Sequence, residues 1–427
     1  MLLARLLNRL VRSGSLTVID PSNERHHFGD APPDTGVVIR LTDPALPRKL
    51  FFNAQLHLGE AYMDGTLRVE RGTIYDLLDL VSRNMGFSGR LPFEQAGRPF
   101  RAIRRLLHQF NPAERSRRNV AHHYDLSGEL YDLFLDDDHQ YSCAYFTEGH
   151  QDLERAQLEK KRHLASKLYL NRSDLSVLDI GSGWGGMGLY LGSIGQCDVT
   201  GVTLSREQFD VSNRRARESG LSDRVGFRMT DYRDISGKFD RIVSVGMFEH
   251  VGAPHYPAFF ERIRDLLTDD GVAVIHSIGR MDGPGITNQW IRKYIFPGGY
   301  SPALSEVLPV IENRGLWVTD VEILRLHYAD TLKLWRERFV ANRDRARDLY
   351  DERFCRMWEF YLAASEATFR HRGHMVFQLQ ITKNVDTLPR TRDYMVDDER
   401  RLAERESEVF AGNREHIMAH TETARAS

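Results

Sequence analysis

A short apolar strand that runs straight into a glycine-rich turn, "VLDIGSGWGG" at residues 177–186, constrains this chain more than any other stretch. Glycine carries no side chain and tolerates positive φ, so a turn of this kind lets the backbone approach a ligand closely. The residues on its C-terminal side set the fold. Strand-like and helix-like runs alternate as "VLDIG", "GMGLYLGSI", "DVTGVTL", "REQFDVSNRRARES", "VGFRMT", "RIVSVG", "YPAFFERIRDLL" and "GVAVIHSIG". That rhythm predicts an α/β fold, a doubly wound, Rossmann-like parallel sheet with helices on both faces. Two later apolar runs, "WVTDVEI" and "HMVFQLQIT", complete the sheet. The charged stretch between them, "TLKLWRERFVANRDRARDLYDERFCRMWEFYLAASEATF", reads as a helical insertion over one end of the sheet.

Three ligands use such a turn, and the flanking residues separate them. A phosphate-binding loop requires Gly-Lys-Ser/Thr, whereas Gly185-Gly186-Met187 offers no lysine. A dinucleotide fold places a carboxylate about 20 residues on for the ribose. Gly181, Gly183 and Gly186 have the dinucleotide spacing, but the second strand ends in "GVTLSREQ", with Thr203 and Gln208 where that carboxylate belongs. Asp179, just before the first glycine, suits S-adenosylmethionine, whose ammonium and sulfonium are cationic. An ordinary turn cap is the alternative role for Asp179.

At 427 residues the chain exceeds one ordinary core. Residues 1–112 form a first unit with strands at "SLTVID", "GVVIRLTD" and "KLFFN" and a helix at "TIYDLLDLVSRN". A basic connector runs to about residue 118, the alternating domain spans 116–384, and 385–427 is a charged tail, helical or loose. Net charge is −2, yet from Arg90 to Arg118 eight arginines face only Glu94 and Glu114, which points to an anionic partner there; no nucleic-acid partner is expected. In "MLLARLLNRLVRSG", Arg5, Arg9 and Arg12 oppose Leu3, Leu6, Leu7, Leu10 and Val11, the stripe of a helix lying on a membrane or packed on its own domain. Those arginines and the lack of a small-residue cleavage site argue against a signal peptide. Three cysteines, Cys143, Cys197 and Cys355, make neither a disulfide framework nor a metal-ligand spacing, so a reducing cytoplasm is expected.

"LGEAYMDG", "HYDLSGELYDLFLD", "YSCAYF", "VLDIGSGWGG", "GVTLSREQ", "SVGMFEHVG" and "YIFPGG", in this order, resemble the cyclopropane fatty acyl phospholipid synthases and their mycolic acid relatives. The resemblance spans nearly the whole chain. It implies a class I methyltransferase domain preceded by a smaller α+β lipid-binding domain, because "EAYMDG" matches the bacterial phospholipid-acting branch. It implies methylene transfer from S-adenosylmethionine to the cis double bond of unsaturated acyl chains, at the inner membrane face, with homodimerisation left open. Cys143, Glu249, His276, the backbone of Ile278, and Tyr328 match positions that hold bicarbonate, the family's proton acceptor. Tyr141, Ser142, Gly181, Gly183, Thr203, Gln208 and Tyr232 match contacts to S-adenosylmethionine. Relatives often carry Cys where this chain has Ser182.

The chemistry asks for the same groups. An alkene is a poor nucleophile, so water must be excluded and the double bond aligned behind the sulfonium methyl. Positive charge then develops on the chain, and anionic groups must face it. Strand ends of an open α/β sheet suit Glu249, His250 and His276. Each has a plainer alternative: His276 as a core histidine, Cys143 as a small core hydrophobe, His122 and His123 as helix caps. Two other activities share the motifs, a lipid C-methyltransferase giving methylene- or methyl-branched chains and a small-molecule N- or O-methyltransferase. The second needs neither the first unit nor the basic connector.

Overall fold

The computed structural model describes residues 2–87, 127–149 and 151–425. The basic connector and His122 and His123 lie outside the described residues. The first unit runs α1 (Leu2–Leu10), β1 (Ser15–Ile19), β2 (Arg25–Gly29), β3 (Val37–Leu41), α2 (Leu46–Met63), β4 (Leu67–Arg71) and α3 (Ile74–Met85). Its four-stranded sheet has the order β2-β1-β3-β4, separate from the main sheet. "KLFFN", expected as a strand, lies inside α2 instead. So short a run is too brief to show a period of its own. Pro47 in the first turn and buried Leu46, Leu50, Ala61 and Met63 continue a helical pattern around it. The leucine stripe of α1 also resolves. Leu3 and Val11 are buried, and Leu6, Leu7 and Leu10 pack against the same core, so the helix spends its apolar face on its own domain.

The second unit begins with α4 (Gly128–Asp132) and α5 (Leu153–Lys167) and continues β5 (Ser176–Ile180), α6 (Gly186–Ser193), β6 (Asp198–Thr203), α7 (Arg206–Glu218) and β7 (Val225–Met229). Then come β8 (Phe239–Val245), α8 (Tyr256–Leu266), β9 (Leu267–Arg280), α9 (Gln289–Tyr294), α10 (Leu304–Glu312) and β10 (Trp317–Leu324). The chain closes with α11 (His327–Ala341), α12 (Arg343–Leu349), α13 (Glu352–His371), β11 (His374–Thr382) and α14 (Asp393–Arg425). Seven strands pair in the order β10-β11-β9-β8-β5-β6-β7. β11 runs antiparallel to both neighbours, and β5 to β9 are parallel. Because β6 and β8 flank β5, the winding reverses there, and the crevice beyond the carboxyl ends of these strands is where such sheets bind ligands. α14 is not loose along its first half: Leu402 is buried, and Glu406 accepts from Arg162 of α5 and Tyr190 of α6. Among the described residues no helix is long and apolar enough to cross a membrane.

"EAYMDG" is where the two units meet. Glu60 accepts from Lys293 at 2.7 Å and Tyr294 at 2.9 Å, and the Tyr62 hydroxyl donates to Glu359 at 2.7 Å. Trp290 donates its indole N–H to Met63 sulfur, and Asp64 pairs with Arg353. Gly59 permits this approach, since a Cβ there would stand 2.4 Å from the Trp290 indole nitrogen. Gly59→Val is therefore expected to destabilise the protein by about 1–3 kcal/mol through overpacking, read by thermal or urea unfolding. Gly226→Val, facing open space on β7, should lose nothing. Equal stability of the two variants would show that the close contact is not required.

Candidate functional site

One cavity opens at the switch point, and all eight positions expected to contact S-adenosylmethionine line it: Tyr141, Ser142, Asp179, Gly181, Gly183, Thr203, Gln208 and Tyr232. β5 delivers Asp179 and the two glycines, and both glycines have positive φ, +81° at Gly181 and +53° at Gly183. A Cβ on Gly181 would reach 2.8 Å from Met247, so only glycine closes this turn. β6 ends in Thr203, whose hydroxyl donates to Gln208 Oε1 at 2.8 Å. Ser205 caps α7 by accepting from the Gln208 N–H, which fixes Gln208 in the first turn.

Asp179 dominates the electrostatics. It is 1% exposed, and one carboxylate oxygen, Oδ2, has no hydrogen-bond partner among the described residues. Burial raises its pKa to about 7, with only the Lys160 charge opposing. A buried carboxyl without a partner is costly. Facing a cavity, it suits a cationic ligand such as an ammonium, and the donor set therefore fits S-adenosylmethionine. His250 also lines the cavity, and burial lowers its pKa to about 4, which keeps the ring neutral.

The second group of expected residues is not in the lining of this cavity. Cys143, Tyr328 and Ile278 belong to one packed cluster. Glu249, in the short turn after β8, accepts from the Ile278 N–H at 2.7 Å through Oε1, while Oε2 is buried without a partner among the described residues. Burial lifts its pKa to about 7, against the Ile278 bond. Burial pushes the Tyr328 hydroxyl well above the ordinary phenol range, and its nearness to Tyr361, Cys143 and Glu249 adds to the rise. His276 is not at the end of β9 as expected but four residues inside it, 2% exposed, its Nδ1 3.2 Å from Gln378 Nε2. Burial drops its pKa to about 3, so the imidazole is neutral. Cys143 is 1% exposed, and burial pushes its thiol well up, which makes it a packing or donor group rather than a thiolate. A dry wall holding an unsatisfied carboxylate oxygen and neutral donors fits a small oxyacid anion that donates its own proton to Glu249.

Between the two groups stands Tyr141. Its ring stacks on Trp335 with centroids 5.2 Å apart, and its hydroxyl lies 3.0 Å from that of Tyr361. Phe296 meets Tyr361 edge-on at 5.8 Å. These rings pack together in the buried core beside the cavity-lining Tyr141, and aromatic ring faces attract cations. Sequence reasoning missed Tyr361 and Trp335, which arrive from the helical insertion. It also missed the α5 pair Gln157 and Lys160.

A family model described as "Mycolic acid cyclopropane synthetase" matches residues 111–379. The cyclopropane-fatty-acyl-phospholipid synthase of Escherichia coli strain K12 is 36% identical over 360 residues, 84% of this chain and 90% of that protein. A probable fatty acid methyltransferase of Pseudomonas putida is 36% identical over 348 residues, 80% of this chain and 85% of that protein. Among solved structures, a mycolic acid cyclopropane synthase complexed with SAH and CTAB superposes with a TM-score of 0.59 at 32% identity, covering 62% of this chain and 97% of that one.

Proposed function

The chain belongs to the mycolic acid cyclopropane synthetase family of S-adenosylmethionine-dependent enzymes, and from that premise we propose that it transfers a methylene group to the cis double bond of unsaturated acyl chains in membrane phospholipids. The observation that carries this reading is the paired arrangement of unsatisfied carboxylates. Asp179 Oδ2 is buried at the edge of a cavity suited to a cationic methyl donor, and Glu249 Oε2 is buried in the dry wall behind Tyr141. Asp179 holds the donor's ammonium, and the glycine turn admits its aminoacyl end. The aromatic compartment around Tyr141, Trp335 and Tyr361 takes the acyl chain and stabilises the cation that forms on it. Cys143, Glu249, His276, the Ile278 backbone and Tyr328 would hold bicarbonate, which supplies a proton acceptor for ring closure. Of these, Glu249 is oriented in advance by the Ile278 N–H and has one oxygen free to take a proton.

A second reading, methylene branching or a methyl-branched alkene on the same chains, shares the cation and differs in a hydride shift and in which proton leaves; a saturated methyl branch would require a separate reductant to add hydride afterwards. It draws support from the name of the Pseudomonas putida relative. Incubation with S-adenosylmethionine and vesicles of unsaturated phospholipid, followed by mass and proton magnetic resonance analysis of the chains, separates the two. Shielded ring protons are expected; vinylidene or branched-methyl signals would replace this reading with the second, and no labelled chain would remove both.

Membrane contact is part of the proposal. With the apolar face of α1 committed to its own core, the exposed Arg5, Arg9 and Arg12 and the arginines from Arg90 to Arg118 remain to meet anionic lipid, at about 1 kcal/mol per basic residue near such a surface. Vesicle sedimentation should therefore fall as salt rises and as anionic lipid is diluted. Binding indifferent to both would place the lipid contact elsewhere.

A further inference from the structure

Helix α5 carries two buried polar side chains that the proposed reaction leaves without a role. Gln157 and Lys160 stand three residues apart and rise from one face of the helix. Neither is more than 1% exposed. Both reach the irregular segment 140–142. Gln157 Nε2 donates to the carbonyls of Gln140 at 3.2 Å and Ser142 at 3.1 Å. Lys160 Nζ donates to Gln140 Oε1 at 2.5 Å and to Ser142 Oγ at 2.9 Å. Residues 140 to 142 all line the cavity, and no helix or strand fixes their backbone. Gln157 clamps two of its carbonyls, the Gln140 N–H donates to Asp136 Oδ1 at 2.9 Å, and Lys160 holds the Gln140 and Ser142 side chains.

Burying an ammonium is costly, and replacing a whole buried ion pair by apolar residues of similar volume often serves stability as well or better. Here the charge is retained among Asp136, Asp138 and Asp179, and its donors are directed at one loop. Because Ser142 Oγ accepts from Lys160, its own proton is left to donate. We infer that Gln157 and Lys160 are positioning residues: they hold the Gln140–Ser142 backbone and aim the Ser142 hydroxyl at the carboxylate of the aminoacyl end of S-adenosylmethionine. The inference rests on reading the cavity as the site of that donor.

The test is calorimetric binding of SAH to the full chain, without any acyl substrate, together with thermal melting. Lys160→Met is expected to bind SAH about 10–100-fold more weakly, the loss expected for charge-assisted hydrogen bonds, and to melt lower as well, because Asp136 and Asp138 lose a counter-charge. In a Ser142→Ala background the same substitution should have a clearly smaller effect, because both act on one hydroxyl. Gln157→Leu, which removes the backbone clamps without touching the charge, should also weaken SAH binding. Wild-type affinity in both variants, or an undiminished Lys160→Met effect in the Ser142→Ala background, would overturn the inference. Should Lys160→Met not fold, Lys160→Gln with Gln157→Leu carries the same comparison. A wild type that fails to bind SAH would instead remove the cavity reading itself.

Discussion

Glu249→Gln should bind S-adenosylmethionine nearly as the wild type does and turn over on the order of 10²–10⁴-fold more slowly, the loss expected when a general acid–base element is removed. The structure sharpens why. Glutamine keeps the side-chain shape, and its carbonyl can still accept from the Ile278 N–H, as Glu249 Oε1 does at 2.7 Å. What changes is the buried, unpartnered Oε2. On the proposed mechanism it accepts a proton in the wild type; in the variant an amide can only donate. Depleting dissolved carbonate should slow the wild type more than the variant, since both perturbations strike one unit and do not add. Comparable turnover of the two proteins, or a wild type insensitive to carbonate, would dissociate Glu249 from the proton-accepting step and leave the methyl-transfer assignment standing.

The sheet and the donor cavity were legible because their signals are local. Strand–helix alternation needs a window of about a dozen residues, and a glycine turn reports its own φ through the absence of side chains, as at Gly181 and Gly183. The antiparallel placement of β11 between β9 and β10 was not legible, because apolar runs do not state their direction or order. The same limit governs "LEKKRHLASK" in α5. Lysines on a helix read as a solvated face, yet Lys160 and Lys167 are each 1% exposed, buried by elements far away in the chain. "LGEAYMDG" was recognisable as a family mark, but its physical work, fitting Gly59 against Trp290, depends on a partner more than 200 residues distant and has no local trace. α1 shows the converse. Its stripe was visible, and whether lipid or protein covers it was decided by α2 and α3 packing beneath it.

Asp179→Asn should stabilise the free protein at alkaline pH and forfeit the methyl donor. Burial lifts the Asp179 carboxyl from its ordinary 3.8 to about 7. The folded state therefore holds a proton that the unfolded state has released, and folding stability falls as pH rises across that window. The stability linked to this group is fully present below pH 3.8 and lost progressively up to about pH 7. A rise of that size corresponds to at most about 4 kcal/mol. Asparagine has no such slope, so the variant's advantage in urea unfolding should grow from pH 4 to pH 7 and then level off. The cost appears in function. Without the carboxylate, the charge-assisted bond to the donor's ammonium is gone, and SAH affinity should drop about 10–100-fold. Because the ligand's ammonium favours the ionised carboxylate, SAH should also stabilise the wild type more at pH 8 than at pH 5, a trend the variant should lack. A destabilised Asp179→Asn protein at pH 8 that still bound SAH normally would make Asp179 a turn cap, and the cationic end of the donor would need another partner in the cavity.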